Sequence, residues 1–366
     1  MIAPIIIFLL LVIAVYAFMQ QDKFGKISKG EQLQQIIKSP NYKNGKFSNI
    51  SFTPDLTEGV SYFKVLKEFF LERSAHIKPK DTLPSVKTNL HDLSPDKNVF
   101  VWFGHSSYFI QTNGKTILVD PVFSGHASPM SFSVKSFEGA NIYSADDMPT
   151  IDFLFLSHDH WDHLDYETII KLKPKIKKII TGLGTAAHLQ HWGFDKNIIA
   201  EKDWNEEVDL GDGFKVNTTT ARHFSGRGFK RNQALWLAFV LQTPTTKFYL
   251  GGDSGYDTHF KAIGEKFGPF DYAILECGQY HHNWKYIHMM PEEVVAAAQD
   301  LRAAKLIPVH WAKFALGQHA WNDPILRVVG EAKKKNQTII HPMIGEEVNL
   351  TANTKQEFKE WWLGVE

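Results

Sequence analysis

The run His158, Asp159, His160, Trp161, Asp162 and His163 constrains this chain more than any other stretch. Three imidazoles and three carboxylate or indole neighbours crowd into six residues, directly after the apolar segment 151–157 (IDFLFLS). That segment, bounded upstream by Pro149, reads as a buried strand. A ligand cluster at the mouth of a buried strand calls for a layered α/β body behind it. Imidazole and carboxylate are the ligands that borderline cations such as zinc prefer. With His158 and His160 two residues apart, a loop can turn both rings toward one ion, while Asp162 and His163 face a second. A solvated polar loop does not need this density of imidazole, so the loop is expected to bind metal.

Further His and Asp residues follow other strand-like segments. His223 comes after 214–218 (FKVNT), Asp253 after 247–250 (KFYL), and His310 after 306–309 (LIPV). Loops at strand ends form one crevice in layered α/β folds, so these side chains can converge with 158–163. Two ions that each keep an open position need about seven ligands. His158, His160, Asp162, His163, His223, Asp253 and His310 supply them. Asp162 and Asp253 are also the carboxylates expected to take part in catalysis. The pair Gly251 and Gly252 is read as letting backbone approach a ligand closely. Asp120, before Pro121, is expected to accept a hydrogen bond from a ligand imidazole. His281 and His282 read as ordinary loop residues.

The organisation around these residues is α/β. Residues 60–73 carry apolar side chains at helical spacing and predict a short amphipathic helix. Strands are expected at 99–103, 107–112 and 115–119, with Asn113 and Gly114 forming a tight type I′ hairpin. Others fall at 178–180, 214–218, 235–242, 247–250, 273–275 and 306–309, and helices at 185–191, 291–304 and 324–335. Pro291, Glu292 and Glu293 suit the first turn of the second helix. The division expected is an anchor at 1–20, an extension at 21–89 and a catalytic domain at 90–366.

Residues 1–19 contain no charged side chain. As a helix rising 1.5 Å per residue they would reach about 28 Å, against a hydrocarbon core of ~30 Å. A secretory signal peptide is the rival reading, but no Lys or Arg precedes the apolar run. Lys23, Lys26 and Lys29 follow it instead. The expectation is therefore an uncleaved single-pass transmembrane helix with the catalytic domain on the cytoplasmic face. Lys plus Arg and Asp plus Glu both number 40, which gives no support for nucleic acid as a partner. Cys277 is the only cysteine, so no internal disulfide exists and a thiolate metal site is not expected. A homodimer is compatible with the sequence.

The intact pattern His-x-His-x-Asp-His at 158–163 resembles the signature of the metallo-β-lactamase superfamily. Residues 102–106 (WFGHS), 120–124 (DPVFS), 221–228 (ARHFSGRG), 251–256 (GGDSGY), 290–293 (MPEE) and 309–311 (VHW) are similar to the branch of phospholipases D that hydrolyse N-acylphosphatidylethanolamine. The resemblance covers roughly Leu83 to Pro342. It implies a four-layer αβ/βα sandwich with two Zn²⁺ per chain. By that analogy His158, His160 and His223 hold one zinc, Asp162, His163 and His310 the other, and Asp253 bridges. It further implies that a metal-bridging hydroxide releases N-acylethanolamine and phosphatidic acid from a membrane phospholipid. His288 resembles a family position near the substrate and is the third candidate catalytic residue; His319 is a weaker one. The alternative is a metal-dependent hydrolase of a soluble ester, lactone or phosphodiester. Di-iron redox relatives usually carry a carboxylate where this chain has His160.

Overall fold

The computed structural model describes residues 2–71, 74, 76–351 and 356–366. The chain begins with helix α1 (Ile2–Met19) and the short helix α2 (Gly30–Ile36). A two-stranded ribbon, β1 (Tyr42–Lys43) and β2 (Lys46–Phe47), precedes helix α3 (Tyr62–Leu71). Residues 72 and 73, which the sequence placed at the end of that helix, lie outside the described residues, as does Met1.

The expected membrane span is corrected. Among the described residues no helix is long and apolar enough to cross a membrane. The large apolar side chains of α1 from Ile5 to Tyr16 are exposed on every side of the helix.

The body follows from how strand side chains alternate. In β3 (Val99–Trp102), Phe100 and Trp102 join the larger core cluster, while Val101 and the following Phe103 join a second cluster on the other face. A strand apolar at every position must be covered on both faces. Antiparallel pairing continues through β4 (Tyr108–Thr112) and β5 (Lys115–Val119). Between these two strands Asn113 and Gly114 both have positive φ, which makes the tight hairpin expected from the sequence. Strands β6 (Ile151–Leu156), β7 (Ile176–Gly182) and β8 (Ile199–Lys202) then add in parallel. Parallel neighbours need crossovers, supplied by α4 (Tyr166–Leu172) and α5 (Ala186–His191). Ile169, Leu172 and Leu189 of these helices cover the outer face of the sheet against Leu154 and Leu156.

The second sheet repeats the plan. Strands β9 (Glu207–Gly211), β10 (Phe214–Thr219), β11 (Ala238–Gln242) and β12 (Lys247–Leu250) are antiparallel. After α6 (His259–Phe267), β13 (Phe270–Glu276) pairs in parallel with β12. Helix α7 (Pro291–Asp300) leads to the parallel strand β14 (Ala303–Val309), and α8 (Asp323–Lys335) to β15 (Thr338–Ile339). The helix predicted over 291–304 ends at Asp300 because Arg302 takes a positive φ and Ala303 pairs with Phe270. Finally β16 (Glu347–Asn349) crosses back to pair with β3, giving two mixed seven-stranded sheets. Phe155 meets Phe239 at 4.8 Å and Phe153 meets Phe214 at 5.9 Å between the sheets. Apolar residues of α6, α7 and α8, among them Phe260, Val294 and Ile325, pack on the second sheet. The result is an α/β sandwich with helices on both outer faces.

Residues 21–89 pack onto this body: Ile36, Phe47 and Leu83 belong to the larger core. A buried amine ties the loops at the site end of the first sheet. Lys313 Nζ donates to Phe103 O (3.1 Å) and Val122 O (2.8 Å). Burial pushes its pKa down to about 7, whereas an unfolded lysine stays near about 10.4. The folded protein sheds this proton first, so the contribution of Lys313 to stability is full at high pH and is lost as pH falls through about 7. Calorimetry across that window should find a rise in Tm with pH that Lys313→Met flattens; an unchanged slope would refute the assignment.

Candidate metal centre

The loops after β5, β6, β10, β12 and β14 carry predicted site residues to one end of the sandwich, where the loop after β3 joins them. Two of these residues turn the chain sharply: Asp120 and His310 have φ of 40° and 69°. His105, after β3, has φ of 54°. Such left-handed backbone is uncommon outside glycine and is found where surrounding contacts impose it.

Two groups of ligand atoms meet. His158, His160, His223 and Asp253 form one, with all their ligand atoms within 4.8 Å of one another. His105, Asp162, His163 and His310 form the other on the same criterion. In the first, His160 Nδ1 lies 2.9 Å from His158 Nε2 and 3.2 Å from His223 Nε2. Asp253 Oδ2 is 3.8 Å from His158, 3.7 Å from His223 and 3.2 Å from His163, while Oδ1 is 3.2 Å from His310. This carboxylate therefore reaches both groups. All seven residues expected from the sequence are brought together.

Outer partners fix the rings. His163 Nδ1 donates to Asp120 Oδ2 (2.8 Å), which leaves Nε2 directed at the centre. Asp120 in turn accepts from the Ser157 amide (2.8 Å) and hydroxyl (2.5 Å). His223 Nδ1 donates to Ile287 O at 2.8 Å. The backbone of His223 is clasped by one side chain: Asn49 Nδ2 donates to His223 O (2.7 Å) and Asn49 Oδ1 accepts from His223 N (3.1 Å). Ser106 Oγ lies 2.7 Å from His310 Nδ1.

The electrostatics favour a cation. Burial lowers the pKa of His158, His223 and His310 well below the usual imidazole value, so these rings are neutral, as metal ligands must be. Burial opposes charge on Asp253 and Asp162, yet the neighbouring His163 holds both carboxyls well below their usual range. His163 itself is pushed down by burial but raised well above normal by the Asp253 and Asp162 carboxylates. Positive charge is thus stabilised between these carboxylates. Among the described residues, His163 Nε2, Asp253 Oδ1 and His310 Nε2 are also buried without hydrogen-bond partners. Such atoms are rare in native proteins and call for a ligand or ion. The donor set fits two borderline cations.

Three residues were not assigned a role from sequence. His105 Nε2 lies 2.9 Å from Asp162 Oδ2 and belongs to the second group. Its signal was available, since it follows a strand as the other ligands do. Glu276, at the end of β13, accepts from Met289 N (2.9 Å) and lies 3.3 Å from His288 Nδ1. Burial pushes its carboxyl up to about 7. His288 shares the space of Asp253 and His310, all three presenting ligand atoms within 4.8 Å. Asn49 gave no signal, because nothing local links it to His223. His319 sits apart: its Nε2 accepts from Gln279 N at 2.7 Å and its ring stacks on Tyr280. His281 caps a short turn through Asn283 N. The two glycines before Asp253 serve protein packing, because a Cβ on Gly251 would lie 2.7 Å from Ile274 O and one on Gly252 2.7 Å from Ser157 Cβ. That corrects the expectation that they clear space for a ligand.

Replacing Asp120 by Asn leaves one acceptor oxygen where two now serve Ser157 and His163, so the hold on the His163 ring is weakened. Metal titration should find affinity reduced by roughly 10–100-fold, with the fold retained by circular dichroism; wild-type affinity would remove Asp120 from the site.

Comparison with known proteins adds four findings. Residues 115–311 match the family described as Beta-lactamase superfamily domain. An uncharacterized protein of Mycobacterium bovis is 33% identical over 328 residues, covering 88% of this chain and 87% of its own length. The N-acyl-phosphatidylethanolamine-hydrolyzing phospholipase D 1 of Caenorhabditis elegans is 31% identical over 297 residues, covering 75% and 82%. Among solved structures, the metallo hydrolase Igni18 of Ignicoccus hospitalis superposes with a TM-score of 0.54 at 19% identity, over 69% of this chain and 99% of its own.

Proposed function

This chain belongs to the metallo-β-lactamase superfamily, and from that premise we propose that it is a dinuclear zinc hydrolase of the phospholipase D type. It would cleave N-acylphosphatidylethanolamine into N-acylethanolamine and phosphatidic acid. The observation that carries the dinuclear reading is Asp253, whose carboxylate lies within 3.8 Å of imidazoles from both groups. The likeness to the nematode phospholipase supports the choice of substrate.

His158, His160 and His223 would hold one cation and Asp162, His163 and His310 the other, with Asp253 serving both. When bound, two such cations lower the pKa of a water and offset charge on substrate oxygens. The chain's own residues do the rest. Asp120 and Ile287 hold Nδ1 of the His163 and His223 rings, so Nε2 of each faces the centre. In the net reaction one water oxygen bonds to phosphorus, the bond from phosphorus to the ethanolamine oxygen breaks, and that oxygen gains a proton. His288, held through Nδ1 by Glu276, stands beside the centre and would contact the substrate phosphodiester. The exposed apolar helix α1 supports attachment to a membrane, where such a lipid resides.

The full chain in mixed micelles should release N-acylethanolamine and phosphatidic acid, and a chelator should abolish the release. Metal analysis should give two zinc per chain; two iron would overturn the zinc assignment. His160→Ala and Asp253→Asn should each lower turnover by more than the roughly 100-fold upper effect of losing an outer partner, with secondary structure intact. Turnover of a soluble phosphodiester or lactone without lipid cleavage would transfer the site to soluble substrates.

A further inference from the structure

Helix α1 leaves the body at a place where three loops meet. Phe18, near its end, packs edge-on against Phe24, and Phe24 packs the same way against Trp161, inside the ligand loop 158–163. Lys23 Nζ donates to Pro129 O at 2.5 Å, which joins the loop 129–132 to this point. Arg227 lies over the Trp161 ring at 3.9 Å and donates to Lys23 O through Nη2 at 2.8 Å. A Cβ on Gly228 would stand 3.0 Å from Met19 Cε, so the loop 226–231 also abuts the helix end.

The tips of two of these loops are apolar and bare. Phe132 is 75% exposed and Phe229 83%. Single exposed apolar residues are ordinary, but here two bare aromatics lie on loops that touch the end of a helix exposed on all its apolar sides. Exposed lysines neighbour these aromatics in the chain, Lys26 two residues after Phe24 and Lys230 next to Phe229. Aromatic tips with flanking lysines suit the headgroup layer, where rings enter the apolar boundary and ammonium groups meet lipid phosphates. The loop behind Phe229 also leads to the metal centre: the Phe224 ring lies 4.4 Å from His160 and 4.7 Å from His223. His160 is the least buried of the seven expected ligands.

We infer that Phe132 and Phe229, with Lys26 and Lys230, dock the body onto an anionic phospholipid bilayer beside α1, so that the His160 side of the metal centre faces the headgroups. The docking deepens the lipid-hydrolase reading and rests on it for the substrate, yet the contact is measured without turnover. Bound this way, the enzyme would take its substrate from the plane of the membrane instead of from solution.

Phe132→Cys and Phe229→Cys in the full chain would each carry a polarity-sensitive nitrobenzoxadiazole label; the native Cys277 is buried and spared. Leu326→Cys, on α8, is the control. On phosphatidylcholine vesicles containing phosphatidylglycerol, labels at 132 and 229 should shift to the blue and lose at least half their intensity to shallow spin-labelled lipids, while the label at 326 stays unquenched. Lys26→Glu with Lys230→Glu should weaken that quenching. Labels at 132 and 229 that remain aqueous on vesicle-bound protein would overturn the inference. So would equal quenching at 326, or a blue shift that grows with protein concentration without vesicles, which would assign the face to a second copy of the chain. Docking with no lipid cleavage would leave this contact standing and sink only the substrate.

Discussion

Asp253 carries a negative charge in the buried interior, with imidazoles from three different strand-end loops around it. An isolated carboxylate in such a place would cost several kcal/mol in desolvation. Its pKa nevertheless stays far below normal because the neighbouring His163, whose own pKa is raised, offsets the charge. That balance is the condition the rest of the site meets. It requires neutral rings on one side, a ring favouring positive charge on the other, and unpartnered atoms between them. A cation completes the set, and the two ligand groups then become one centre through a shared carboxylate.

The fold supplies the convergence. Each sheet begins as an antiparallel meander and ends in parallel strands, so helices cover the outer faces and the carboxyl ends of the parallel strands open at one edge. Ligands from β6, β12 and β14 leave those ends, and those from β3 and β10 leave the adjoining loops. Leu237 N donating to Ser157 O at 3.1 Å fastens the two sheets directly beneath the ligand loop. Gly252 permits that approach, since any side chain there would meet Ser157. Rigid strands thus set ring positions, and hydrogen bonds to Asp120 and Ile287 and with Ser106 set ring orientations. Catalytic centres depend on that kind of preorganisation.

Local regularity explains what could be read along the chain. The hairpin at Asn113 and Gly114 was legible because only a few residues accept two successive positive φ values. The buried strands 99–102, 151–156 and 247–250 were legible from short apolar runs. The edge strands β8, β9 and β16 escaped, since half-exposed residues of mixed polarity carry little pattern. Helix α6 escaped for a similar reason, its apolar face being only Phe260, Ile263 and partly buried neighbours. The span expected from hydropathy is not found: among the described residues no helix is long and apolar enough to cross a membrane.

The sequence by itself determined the chemistry of the centre. The residue types at 158–163 and at three later strand ends admit a pair of borderline cations and little else, because ligand preference is a property of the side chain. Tertiary structure decided the geometry. It put Asp253 between the two groups, set His105 beside Asp162, paired Glu276 with His288, and clasped His223 with Asn49, 174 residues away. It also brought α1 to the ligand loop through Phe24 and Trp161. Each of these contacts joins segments distant in the chain, and only the packing of the two sheets fixes which distant segments meet.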